Sequence, residues 1–195
     1  MPNYRRHRAP GGTYFFTVNL LERQRRLFVT EIETLREAVR KVRAARPFFI
    51  DCWVVLPDYL HCVWTLPLDD ADYPARWKAI KIAFSKSIPK TEHLSAVRLA
   101  NGERGIWQRH YWAHSIRDDL DDARHVDYVH FNPVKHGHVA RVRDGPYSSF
   151  SRYVAAGIYP IDWASDDGEK MLVGERGCIF MCRKAEGATL FRPMG

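Results

Sequence analysis

The sequence predicts a mixed α/β domain. Three observations carry that expectation: β-branched and aromatic runs of strand length, amphipathic stretches with helix start signals between them, and 46% hydrophobic residues in 195, enough for one core but not two full domains. Gly11-Gly12 precedes Thr13-Tyr14-Phe15-Phe16-Thr17-Val18-Asn19-Leu20, which reads as the first strand. Thr30-x-x-Glu33 then offers a capping box. Ile32, Leu35, Val39 and Val42 recur at helical spacing, with Arg36, Arg40, Lys41 and Arg43 between them, so the helix has a basic outer face. Phe48 to Leu56 is nearly continuous apolar sequence, Pro57-Asp58 marks a turn, and strand character resumes from His61 to Leu66. Asp72 caps a second helix with Pro74 in its first turn. Trp77, Ile80, Phe84 and Ile88 share one side of it, with Arg76, Lys78, Lys81 and Lys86 elsewhere. Residues 89–105, with Asn101-Gly102, read as a surface loop, and residues 105–116 as another strand. Asp118 or Asp119 caps a helix to about Phe131, which Asn132-Pro133 should end, because a residue before proline is pushed out of the helical region. A short helix fits between Tyr147 and Tyr159. The chain beyond Pro160 is Gly-rich and aperiodic, which places a domain at residues 1–163 and an irregular tail at 164–195.

Charge placement says more than its total. The net charge is +7; residues 1–50 hold 11 Lys/Arg against 4 Glu, and the remaining chain holds 19 of each sign. A basic front of this kind suits a polyanion, most often nucleic acid, through release of counterions from phosphates. Cys52, Cys62, Cys178 and Cys182 are too few and too irregular for a disulfide framework, and Cys178-x-x-x-Cys182 lacks the second pair a zinc site needs. No run has the length of a membrane span and the N-terminus lacks the apolar core of a signal peptide, so a cytoplasmic protein is expected.

Tyr59 and His61 lie two apart in a strand, so both project to one face. His61 can serve as a neutral imidazole ligand, whereas a phenol is mostly protonated near neutrality and coordinates weakly. Arg5, Arg6, Lys78 and Lys81 supply charge for a phosphate chain, while Trp107, Tyr111 and Trp112 offer rings on which bases stack. His125, His130, His136 and His138 sit where backbone or phosphate contacts are the commoner fate of a histidine.

Several motifs in fixed order add to this reading. Tyr4-Arg5-Arg6, the Gly11-to-Leu20 run, Trp53-Val54-Val55-Leu56-Pro57, His61-Cys62-Val63-Trp64-Thr65-Leu66-Pro67 and Ile106-Trp107-Gln108 come first. His125 to Gly137, containing Tyr128-Val129-His130-Phe131-Asn132-Pro133, and Pro146-Tyr147-Ser148-Ser149-Phe150 follow. With these the chain, over residues 3 to 163, resembles the REP-associated tyrosine transposases, single-tyrosine members of the HUH endonuclease superfamily. The resemblance implies a ferredoxin-like sandwich, a central antiparallel sheet with helices on one side, the sheet bearing the histidine motif and a following helix presenting the tyrosine. It implies that Tyr128 attacks a DNA phosphate, leaving a 5′-phosphotyrosine bond and a free 3′-hydroxyl. Two histidines flanking one hydrophobic residue bind the divalent metal, Mg²⁺ or Mn²⁺, in that family. Their positions fall on Tyr59 and His61, so one ligand is replaced and weak binding is expected, with Asn132 completing the site. The implied partner is a single-stranded REP-type DNA hairpin, in a nucleoid-associated bacterial protein. Two alternatives stay open: a nuclease-impaired relative that still binds the hairpin, motivated by Tyr59, and an RNA-binding regulator, motivated by the basic and aromatic surface.

Overall fold

The structure, a computed structural model, describes residues 8–165. Four strands, β1 (Thr13–Asn19), β2 (Phe49–Val55), β3 (Tyr59–Thr65) and β4 (Trp112–Ser115), pair antiparallel in the order β2-β3-β1-β4. Helices α1 (Leu27–Thr30) and α2 (Ile32–Ala45) join β1 to β2. Helices α3 (Tyr73–Ser87) and α4 (Ala96–Ala100) join β3 to β4, and α5 (Asp119–Lys135) and α6 (Phe150–Ala155) follow.

Strand alternation divides the core into two. Tyr14, Phe16 and Val18 of β1 and Leu60, Cys62 and Trp64 of β3 pack with Leu35 and Val39 of α2 and with Trp77, Ile80 and Phe84 of α3. Trp64 and Trp77, both fully buried, stack at 4.3 Å across this layer. The alternate residues Phe15, Cys52, Val54 and Val63 meet Val126 and Val129 of α5 and Phe150 and Tyr153 of α6. The strand order, with both crossover helices on one face, is that of the ferredoxin-like sandwich. Helices are not confined to that side, however: α5 and α6 bury the apolar residues of the second face, which would otherwise meet water.

Local differences from the sequence expectations have physical causes. Thr30 closes α1, and its hydroxyl turns back to the carbonyls of Arg26 and Leu27, so it caps nothing in α2; Glu31 is the N-cap, without a side-chain bond. Asp72 does cap α3, accepting from the Ala75 amide at 3.1 Å. Residues 89–105 are not all loop, because Ser95 accepts from the Arg98 amide and starts α4, which Asn101 and Gly102 (φ +65°) stop. Of residues 105–116 only Trp112–Ser115 forms strand. Upstream, Trp107 turns into the core and touches the sheet through a single bridge to Leu20. Finally, α5 runs through Asn132-Pro133 to Lys135: Pro133 removes one amide donor within a turn of the end, a small loss beside the burial of Asn132.

Candidate active site

The second face of the sheet and α5 form a seam in which the expected residues meet. Asp121, His125, Tyr128 and Asn132 recur at intervals of four, three and four along α5, so they share one stripe, directed at β1 and β3. Opposite it, the register pairs Thr17 with His61 and Asn19 with Tyr59. His61 Nδ1 hydrogen-bonds Thr17 Oγ1 at 2.8 Å, and its ring stacks on Phe15 at 5.4 Å. Tyr128 is half-buried, its ring edge-on to His61 at 5.2 Å and to Phe15 at 5.9 Å. Tyr59 donates its hydroxyl hydrogen to Asn132 Oδ1 at 2.8 Å. Tyr59, His61, Tyr128 and Asn132, dispersed over more than seventy residues, are thus brought together.

Burial dominates the electrostatics. The His61 imidazole is pushed down to about 3, by loss of water first and then by His136 and Lys135. Burial, with Tyr128 and Asp58 nearby, raises the Tyr59 phenol well above its ordinary range. Both groups are therefore neutral near pH 7. Two cations border the seam: Lys135 Nζ lies 5.2 Å from the centre of the Tyr128 ring, and the Arg23 guanidinium, ion-paired with Asp58, lies 5.9 Å from that of Tyr59. Sequence reasoning missed both. Helical spacing could have found Lys135, seven residues beyond Tyr128, whereas Arg23 is positioned by the turn after β1 and leaves no periodic signal.

The donor set does not fit a divalent ion at Tyr59, His61 and Asn132. Asn132 Oδ1, the oxygen that would face a cation, already accepts from Tyr59. Its Nδ2 is buried without a hydrogen-bond partner among the described residues and is a donor, which suits an anion's oxygen. One neutral imidazole remains, and a protonated phenol adds little.

The remaining expected contacts are dispersed. Arg5 and Arg6 lie outside the described residues. Trp112 is half-exposed on β4 and meets Phe15 at 5.4 Å, beside the seam. Trp107 is buried, its indole donating to Ser85 Oγ at 2.9 Å, so its ring is not available for stacking. Lys81 donates to the Gln108 carbonyl and lies over the rings of Trp107 and Tyr111, while Lys78 is exposed on the same helix. Lys78, Lys81, Trp107 and Tyr111 thus belong to the α2/α3 layer, across the sheet from Tyr128. A cluster that sequence reading passed over stands farther along the seam: His114 of β4 with Asp121 and His125 of α5. The four-residue interval of Asp121 and His125 was a usable signal; the approach of His114 is a product of the fold.

Comparison with known proteins gives a consistent result. The chain is 48% identical over 166 residues, 85% of its length and 93% of the relative's, to the REP-associated tyrosine transposase of Escherichia coli (strain K12). It is 42% identical over 172 residues, 88% of its length and 98% of the relative's, to a putative REP-associated tyrosine transposase of Haemophilus influenzae (strain ATCC 51907 / DSM 11121 / KW20 / Rd). A solved structure of the REP-associated tyrosine transposase bound to a REP hairpin superposes with a TM-score of 0.73 and 47% identity, covering 90% of this chain and 98% of that one. No family model matches the sequence.

Proposed function

The chain belongs to the REP-associated tyrosine transposases, and from that premise we propose that it binds single-stranded REP-type hairpin DNA and cleaves and rejoins it through Tyr128. The observation that carries the reading is the meeting of Tyr128 of α5 with His61 of β3 in the seam between helix and sheet, with a lysine at the tyrosine's ring. In the proposed step the Tyr128 oxygen attacks phosphorus and loses its proton. The 3′ oxygen leaves and takes up a proton, giving a 5′-phosphotyrosine and a free 3′-hydroxyl. Rejoining is the reverse, with a 3′-hydroxyl as nucleophile. Lys135, and His136 when protonated, supply positive charge near the phosphate, and Asn132 Nδ2 is a candidate donor to one of its oxygens. His61, neutral and held by Thr17, orients rather than neutralises. In the family a divalent ion polarises the phosphate, and Tyr59, His61 and Asn132 of this chain do not fit one.

The test is adduct formation with a synthetic hairpin drawn from repeats near the coding region. The wild-type chain should form a covalent protein–DNA species, which Tyr128→Phe should abolish while leaving hairpin affinity within about twofold, since only the nucleophilic oxygen is removed. An adduct that persists in Tyr128→Phe and maps to Tyr59 would overturn the assignment. A second reading has its own support: the Tyr59–Asn132 hydrogen bond occupies the oxygen a cation needs, which favours a chain that binds the hairpin but cuts poorly. Hairpin binding without any adduct in Mg²⁺ or Mn²⁺ selects that reading.

A further inference from the structure

Beyond Tyr128, the seam ends in a cluster whose side chains are the usual ligands of a transition metal. His114 leaves β4 two residues after Trp112, and Asp121 and His125 leave α5 one turn apart. His114 Nε2 lies 2.9 Å from Asp121 Oδ2, and His125 Nδ1 lies 3.2 Å from Asp121 Oδ1. One atom from each of the three falls within 4.8 Å of the other two. A tetrahedral ion with nitrogen and oxygen ligands at about 2.0 Å separates its donors by about 3.3 Å, so little movement is needed to close on one.

The surroundings hold the ligands in place. The imidazoles of His114 and His125 lie nearly parallel at 4.7 Å, with Phe15 packed on His125 at 4.8 Å and Trp112 stacked on His114 at 5.7 Å. The Arg117 amide donates to Asp121 Oδ2 at 3.1 Å and fixes the carboxylate, the supporting contact metal-bound carboxylates ordinarily have. Burial alone would raise the Asp121 carboxyl, but the bonds from His114 and Arg117 bring it below its usual value. Burial likewise holds His125 below its usual value, against the pull of Asp121. Carboxylate and neutral imidazole are the forms that coordinate metals.

We propose that His114, Asp121 and His125 form a binding site for a first-row divalent transition metal, with Zn²⁺ as the best-matched ion. Two imidazoles and one carboxylate suit Zn²⁺ and leave a fourth position open, whereas Mg²⁺ demands six oxygen ligands. On binding through Nδ1, His125 takes the neutral tautomer with its proton on Nε2 and gives up its Nδ1 contacts with the Asp121 carbonyl and carboxylate. The ion cross-links β4 to α5 three residues before Tyr128. It thereby fixes the rotation of the helix that aims the tyrosine at His61.

Metal titration of the full chain without DNA tests this separately from the cleavage reading. Co²⁺ should bind with visible d–d absorbance and be displaced by Zn²⁺, and Zn²⁺ should raise the melting temperature. His114→Gln and His125→Gln should each weaken binding more than about tenfold, with far-UV circular dichroism confirming that they fold, while His61→Ala should leave it unchanged. Absence of Co²⁺ and Zn²⁺ binding would overturn the proposal. So would loss only in His61→Ala, or a thiolate charge-transfer band insensitive to His114→Gln, which would put the ion on Cys178 and Cys182.

Discussion

Tyr59 occupies a place where a small change in chemistry should have a large effect. Its phenol is buried, neutral and bonded to Asn132 Oδ1, so it both fills the site and withholds the oxygen a cation would use. Tyr59→His removes the phenol, frees that oxygen and puts a second imidazole beside His61 on the same strand face. Mn²⁺ affinity at the His61 end of the seam should then rise by more than about tenfold, and hairpin nicking should rise with it. Calorimetry in a His114→Gln background isolates this end, and equal affinities with equal rates would remove Tyr59 from any metal position. His61 allows a prediction on pH. Its native value of about 3 lies below the unfolded value of about 6.5. The unfolded chain therefore binds the extra proton between these limits, and stability falls as the pH drops through that window. The slope reaches about 1.4 kcal/mol per pH unit from this one group, and His125, also depressed, acts in the same direction. Urea unfolding from pH 7 to 4 should show a shallower slope in His61→Gln, and an identical slope would mean that His61 is protonated in the native chain.

Helix α5 shows what an element adds to its residues. Asp118 accepts from the Asp121 amide at 2.8 Å, a cap legible in the sequence because acidic residues precede a helical run. Asp118→Ala should cost about 1 kcal/mol, read as a lower urea midpoint with an unchanged m-value; no shift would show that the remaining first-turn contacts suffice. The helix C-terminus was less legible. The rule for a residue before proline is a local steric preference, and it lost to the burial of Asn132 and its bond to Tyr59, a residue seventy-three positions away. The same limit applied to Thr30 and Glu33, whose spacing fits a capping box although the hydroxyl was already engaged in the preceding turn. By contrast, α3 combined a cap, an early proline and a periodic apolar stripe, and local signals of that kind survive in the fold.

Across the whole molecule, alternation in the strands was readable but assignment of faces was not. Sequence places Phe15 and Phe16 on opposite sides of β1, yet nothing local says which side receives α3 and which receives α5. That left Trp107 and Tyr111 indistinguishable from Trp112 as stacking candidates, although of the three only Trp112 touches Phe15, on the face of the sheet that α5 covers. The charge pattern was revised in a similar way. Arg36 and Arg40 on α2 pair with Glu33 and Glu37, acidic residues of the same segment, whereas Arg23 pairs with Asp58 from beyond it, so one charge of the N-terminal surplus is neutralised where it stands. Exposed ion pairs of this kind are weak and exchange readily for phosphates, so they reduce the basic field without abolishing it. Hairpin affinity should accordingly fall with salt. Each phosphate neutralised contributes about −0.9 to the logarithmic slope on a duplex stem and about −0.7 on single strand. Lys135→Gln removes a cation beside Tyr128 and should make the slope shallower by roughly one such contact, whereas Lys78→Gln, across the sheet, should leave it unchanged if the hairpin lies on the α5 face. Fluorescence anisotropy over a salt series with both variants decides the matter. A shallower slope in Lys78→Gln alone would move the DNA to the α2/α3 face, and equal affinity for unstructured single strand would remove the hairpin selectivity.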